Sequence, residues 1–259
     1  MVLALIPFIL LLAAYSIASD IRRAENPSDK LLPAPAQIAA TAGRLVSEGD
    51  RRSGRILFWY DTLASLLRLA TGVAIAAAIG LSLGLLIGLL PVANAGLGGF
   101  VAAVSLIPPL AILPILFITF GLGETSKVAL IVIGIAPFLV RDMATRTAEI
   151  PIEQTVKAQT LGASSLVLAL RVALPQVMPR LVQAMRLSLG PAWLFLIAAE
   201  AIASQEGLGY RIFLVRRYLA MDIILVYVAW ITLLAFLLDR ALALAGRRLF
   251  PWYRAERVA

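Results

Sequence analysis

The run GLGETSK, Gly121 to Lys127, comes nearest in this sequence to a loop that cradles phosphate. Such a loop needs a Gly immediately before its Lys, so that backbone N–H groups can close on the phosphate oxygens. Here Ser126 holds that place, and ATP hydrolysis by the chain itself is not expected. Other chemistry is as sparsely provided for. None of the 259 residues is His and none is Cys, which removes the commonest general base, the usual zinc ligands and the Ser-His and Cys-His nucleophile pairs. The acids Glu200 and Asp222 are scattered, with neither His nor Cys to support them. An enzyme built on them is the weaker reading, and no metal or cofactor of the chain's own is expected.

The elements that carry these residues are apolar. Hydrophobic residues make up 61% of the chain and charged ones 15%, against roughly 45–50% and 25% in soluble domains. The expected fold class is therefore an all-α membrane protein. A hydrocarbon core about 30 Å thick takes about 20 apolar residues per helix. Six stretches approach that template: Met1–Ser19, Leu63–Leu90, Leu97–Phe120, Ser126–Val140, Leu187–Ala203 and Ile223–Leu244. Pro137 is expected to interrupt the fourth. The first lacks Lys or Arg before its apolar run, which favours a retained helix over a cleaved signal peptide. The domain plan is then an N-terminal membrane helix at 1–19, a polar connector at 20–60, an apolar core at 61–245 that includes a polar loop at 143–186, and a tail at 246–259. Within the connector, 36–48 reads either as an amphipathic helix on the bilayer surface or as a solvated linker.

The net charge of +8 suits anionic lipid headgroups; no long basic run with interleaved aromatics points to nucleic acid. Apart from Arg68 in the second span, the Lys and Arg residues divide equally between the two sides, so charge alone leaves the orientation open. An even number of spans places both termini on the side of the 143–186 loop.

Three features inside the apolar core bear on function. Gly72, Ala76, Gly80, Gly84 and Gly88 recur every four residues, which strips one helix face of side chains and lets another helix approach, within the chain or between chains. Pro108, Pro109 and Pro114 break the third span, and a broken helix at membrane depth is either a packed kink or a place where solute passes. Glu200, an acid inside an apolar run, is a functional candidate by default; a structural role closing its helix end onto Gly207–Gly209 is the competing reading. Ser105, Thr119 and Trp193 are further candidates to line a path.

The polar loop between the fourth and fifth spans has its own internal order. Pro151 suits a first helical turn and Glu153 complements the dipole there. Gly162 can end that helix in the left-handed conformation. Ser164 or Ser165 can cap a second helix that reaches about Leu174 before Pro175. The product is a helical hairpin between two spans. As a DNA reader it would offer only Arg171 in its second helix; a passive hairpin or a docking element for a soluble partner fits better.

In this loop Val156-Lys157-Ala158, then Gly162, then Val172, Leu174 and Pro175 resemble the Glu-Ala-Ala, Gly, Ile-x-Leu-Pro motif of bacterial ABC importer permeases, with Val156 and Lys157 departing from it. The stretches LPAPAQI, IPPLAILPILFITFGLGETSK and LIAAEAIASQEGLGY, in that order in the chain, resemble the nitrate, sulfonate and taurine permease group. That resemblance implies a type I importer permease fold (MetI-like core) whose hairpin faces the cytoplasm of a bacterial inner membrane. It also implies two partner ATPase subunits that bind ATP and Mg, a second permease copy and an external solute-binding protein. Ala158, Gln159, Leu161, Gly162 and Ala163 would contact the ATPase, and Ser105, Pro108, Thr119, Trp193 and Glu200 would belong to the path. The implied solute is small and polar or charged, of the nitrate, sulfonate or taurine kind. A guanidine- or urea-like compound, with Glu200 as counter-ion to a cation, is the alternative; a membrane scaffold or membrane-bound enzyme is the alternative from another class.

Overall fold

A computed structural model describes residues 6–26, 30–50 and 54–253, and among these every regular element is a helix. In chain order they are α1 (Ile6–Glu25), α2 (Pro35–Ser47), α3 (Leu57–Leu89), α4 (Pro91–Val104), α5 (Pro109–Phe120), α6 (Glu124–Ala148), α7 (Ile152–Thr160), α8 (Ser165–Ala203), α9 (Leu208–Arg216) and α10 (Met221–Leu249). Four of them, α3, α6, α8 and α10, are long and apolar enough to cross a membrane, and the bent pair α4–α5 makes a fifth span if it is taken as one. The remaining expected span, the first in the chain, Met1–Ser19, begins in residues outside the described ones. The part that is described, α1, carries Asp20, Arg22, Arg23 and Glu25 in its last two turns. Residues 254–259 of the expected tail also lie outside the described residues.

The chain divides into two compact units, Met1–Ser65 with Glu200–Leu233 and Leu66–Ala199 with Leu234–Ala259. In the first, the Pro-x-Pro entry is tied to α1: the Tyr15 hydroxyl donates to the Pro33 carbonyl at 2.7 Å and the Ser19 hydroxyl to the Leu32 carbonyl at 2.9 Å. Pro35 then starts α2, where its missing N–H costs nothing. The one fully buried side chain of α2 is Thr41, which donates to Asp222 at 2.9 Å. Phe58, Tyr227 and Trp230 pack ring against ring at 5.2–5.5 Å beside them.

In the second unit the small-residue face of α3 finds its partner within the chain. A Cβ added to Gly72, Gly80, Gly84 or Gly88 would lie 2.3–2.7 Å from Ile131, Leu139, Met143 or Thr147 of α6. Both helices therefore meet along rows spaced four residues apart, and the glycines let the backbones close to a distance that side chains would forbid. Ile131, Ile135, Leu139 and Met143 are correspondingly at most 1% exposed.

Proline behaves differently at three places where the sequence alone suggested a break. Pro137 lies inside a continuous α6 rather than interrupting it, because packing on both sides holds a helix that has lost one internal bond. The second helix of the hairpin does not stop before Pro175 either: it runs on as the span α8, Ser165–Ala203. A π-helical stretch, Leu168–Ala173, ends two residues before that proline, and the wider turn accommodates the residue that cannot donate. Between α4 and α5, by contrast, the helix does break, with a bend of 93°. Pro108 is extended there (ψ 117°) because Pro109 follows it, whereas Pro114 sits within α5.

Candidate functional site

The hairpin is closed by a complete set of backbone bonds. Gly162 has φ +84°; its N–H donates to the Gln159 carbonyl at 2.9 Å and the Ala163 N–H reaches the Ala158 carbonyl at 3.0 Å. Those two bonds are the Schellman closure of a helix C-terminus, so α7 ends in a fixed geometry that depends on the left-handed Gly. On the other side of the turn the Ser164 hydroxyl accepts from the Val167 N–H at 3.4 Å and caps α8. Pro151 stands one position before α7, with Glu153 in its first turn. Gln176 donates to Gln154 at 2.9 Å, fixing α7 to the start of the long span.

The inner face of the hairpin is anchored by Leu168 and Ala173, 6% and 1% exposed. Its outer face is apolar and open, with Leu161 81%, Ile152 71% and Leu166 68% exposed. Ala158, Gln159, Leu161, Gly162 and Ala163 come together in the turn, the first and last half-buried and the other three exposed. Such a surface, rigid and apolar at the end of a membrane helix, is suited to a protein partner.

Each expected path residue has its own local surroundings. Ser105 follows α4 at the bend, donates to the Ala102 carbonyl at 2.7 Å and accepts from Arg141 at 3.0 Å. Pro108 forms the bend itself. Thr119, exposed near the end of α5, bonds back to the Ile115 carbonyl at 2.9 Å. Trp193 is 4% exposed in α8, and its indole Nε1 has no hydrogen-bond partner among the described residues.

Glu200 lies in the first unit, fully buried, with its carboxylate against Gly207–Gly209, the structural alternative read from the sequence, within a knot whose other members, Asp61, Ser65 and Arg211, the sequence did not single out. Its carboxylate accepts from the Ser65 hydroxyl at 2.7 Å and from the Gly209 N–H at 2.8 Å. The Leu208 N–H donates to Ser65 at 2.9 Å and the Gly207 N–H to Asp61 at 2.8 Å. Three successive amides at the start of α9 are thus held by side chains of α3 and α8, as the orphan donors of a helix start require. Gly207 has φ +115°, and a Cβ there would lie 2.5 Å from the Glu200 carboxyl, so only glycine permits this approach. Asp61 also accepts from Arg211 at 2.7 Å. Burial works against the Arg211 charge, but the hydrogen bond and charge of Asp61 outweigh it and hold the guanidinium pKa above its ordinary value. The signal available in the sequence was modest: Asp61 and Ser65 are polar residues four apart at the start of an apolar helix, hence on one face.

In the second unit, Arg68 and Lys127, 3% and 4% exposed, share the carboxylate of Glu124. Arg68 grips it through Nε and, at 2.8 Å, Nη2, and Lys127 reaches it at 2.7 Å. Lys127 and Glu124 belong to the run that resembled a phosphate loop, so its Lys is engaged in structure.

Residues 58–251 match the family model of the binding-protein-dependent transport system inner membrane component, and the chain belongs to that family. It is 33% identical over 226 residues to the taurine transport system permease protein TauC of Escherichia coli K12, covering 87% of this chain and 82% of that one. It is 34% identical over 189 residues to the bicarbonate transport system permease protein CmpB of Synechococcus elongatus, covering 72% and 67%. The fold is that of the MetNI methionine ABC transporter in inward-facing form, with a TM-score of 0.64 at 20% identity, covering 75% of this chain and 95% of that one. The protein is thus a multi-pass membrane permease of the ABC transporter class with a type I importer fold.

Proposed function

We propose that this chain is the membrane subunit of an ATP-driven importer in a bacterial inner membrane, moving a small solute that carries an anionic group, of the sulfonate, nitrate, taurine or bicarbonate kind. The hairpin docks in a cleft of a separate ATPase subunit, which binds ATP and Mg. A second copy of this chain completes the path, and an external binding protein delivers the solute. Binding and hydrolysis of ATP move the α7–α8 turn, and the continuous helix from Ser165 to Ala203 carries that displacement into the membrane.

The observation that carries this reading is the hairpin: a turn locked by Gly162 and Ser164, with Leu161 at its tip 81% exposed, joined without interruption to a span. A passive loop has no need of a rigid apolar tip. The anionic group of the solute is supported by the relatives named for taurine and bicarbonate, whose solutes each carry one, and not by a charged site in the spans.

The test has two arms. Tagged permease is purified from its source membrane and assayed for a co-purifying ATPase whose turnover rises with the cognate binding protein. That binding protein is then screened by thermal shift against nitrate, sulfonates, taurine, bicarbonate, guanidine and urea. Absence of a co-purifying ATPase overturns the importer; a response to guanidine or urea alone overturns the anionic solute.

A further inference from the structure

At one end of the second unit, residues of α8, of α10 and of the segment after it line a cavity of about 310 Å³. The two helices approach closely beside it: a Cβ added to Gly246 of α10 would meet Val182 of α8 at 3.2 Å. The lining includes apolar Pro179, Val182, Leu242 and Phe250 and polar Gln183, Arg186, Arg247 and Tyr253; Pro179 is buried and Arg247 exposed, which makes the first part of the floor and the second part of the rim. No carboxylate lines the cavity among the described residues. Asp239 accepts from Nε and Nη2 of Arg186 at 2.8 and 2.9 Å, which orients that guanidinium and leaves its Nη1 edge to act as donor. Arg247 is exposed and has no ion pair or hydrogen bond among the described residues.

The place of the cavity in the membrane follows from its elements. Arg247 lies in the last turn of the span α10, and Trp252, 52% exposed, follows three residues after that helix ends, as aromatic residues do at the headgroup level. Tyr253, which lines this cavity, also lines the one beneath the hairpin with Pro151 and Gln154, so both lie at the same end of the unit. Arg180 stacks on the Tyr253 ring at 4.9 Å and the Tyr253 hydroxyl reaches Gln183 at 3.4 Å, which holds the tail as a fixed wall.

We propose that this cavity binds the headgroup phosphate of an anionic phospholipid, with Arg247 and Arg186 on the phosphate and the first acyl carbons on the apolar floor. Cations above an apolar floor, at the end of a span, match a molecule that carries a phosphate above a hydrocarbon chain. A soluble phosphate would use the cations but leave the floor unfilled. The inference requires only that the chain sits in a membrane, which its family establishes; it is independent of the solute.

The test is native mass spectrometry of the full chain in detergent, titrated with phosphatidylglycerol, phosphatidylcholine or inorganic phosphate. One phosphatidylglycerol is expected to bind in preference to phosphatidylcholine, and Arg247→Gln to weaken it about five-fold, the worth of one cation near a membrane surface. Arg248→Gln is the control: it lies in the same helix end and meets the same dipole, but does not line the cavity, so its affinity should stay unchanged. Equal binding of the two lipids overturns the proposal, as does an Arg247→Gln variant that binds like the parent. Displacement of the lipid by inorganic phosphate at equal concentration also overturns it, because the site would then be one for a free anion.

Discussion

Replacing Gly162 with Val separates the geometry of the hairpin from its mere presence. Gly162 has φ +84° and an added Cβ would meet nothing within 4 Å, so the substitution brings no clash inside the chain and acts through the backbone alone. A left-handed residue other than Gly costs roughly 1–2 kcal/mol, and a β-branched one sits at the upper end. That lowers the population of the locked turn by about 5- to 30-fold. What is lost with it are the bonds from Gly162 N–H to Gln159 and from Ala163 N–H to Ala158, and so the angle at which α7 meets α8. The spans make no use of this turn, and membrane insertion should be normal. In proteoliposomes holding permease, ATPase and binding protein, solute taken up per ATP hydrolysed should fall by about ten-fold, the middle of the range above. Gly162→Asn supplies the control, since Asn tolerates the left-handed region through its own local hydrogen bond, and it should retain most of the coupling. Normal uptake by the Val variant would refute the reasoning. If Asn failed as completely as Val, the cause would be a side chain colliding with the partner and not the backbone angle.

Substitutions at four other positions probe separate parts of the structure. Gly84→Leu puts a side chain where Met143 Cβ stands 2.3 Å away and should destabilise the detergent-solubilised protein by about 1–3 kcal/mol, read as a lower thermal midpoint. Gly96→Ala, where nothing lies within 4 Å, should leave that midpoint unchanged or slightly raised. Asp61→Ala leaves Arg211 and the Gly207 N–H without the carboxylate that now receives both. The expected loss is about 3–5 kcal/mol, smaller for Asp61→Asn, measured by the same unfolding assay; equal effects of Ala and Asn would argue against the ion pair. Trp193→Phe keeps an aromatic ring and removes a buried indole N–H that has no partner among the described residues. It should relieve about 1–3 kcal/mol of unpaired burial and so raise the midpoint while slowing uptake if that donor meets solute in the path; unchanged uptake assigns Trp193 to packing.

What the sequence disclosed was local. The ends of the hairpin could be read because Pro151, Gly162 and Ser164 each act within a few residues of themselves, through a fixed φ, a left-handed turn and a side-chain cap. The Gly72–Gly88 face could be read as a packing surface, since four-residue spacing is a property of one helix, but not which helix it meets: the α6 row from Ile131 to Thr147 is known only once both are folded. Pro137 and Pro175 were misjudged for the same reason. A proline's lost hydrogen bond is local, while the packing and the π-helical stretch that make it tolerable are not.

The buried knot marks the far limit of that logic. Asp61 and Arg211 lie 150 positions apart and Ser65 and Glu200 lie 135 apart, and no periodicity links them. Yet the knot is what fixes the start of α9, where Gly207, Leu208 and Gly209 would otherwise present three amides without acceptors. An acid inside an apolar run therefore has two kinds of partner open to it, a solute or the backbone of a neighbouring turn, and Glu200 in this structure has the second. The hairpin, built from short-range rules, announces where a partner docks; the groups that would meet a solute depend on contacts that span the chain, and the sequence could only nominate them.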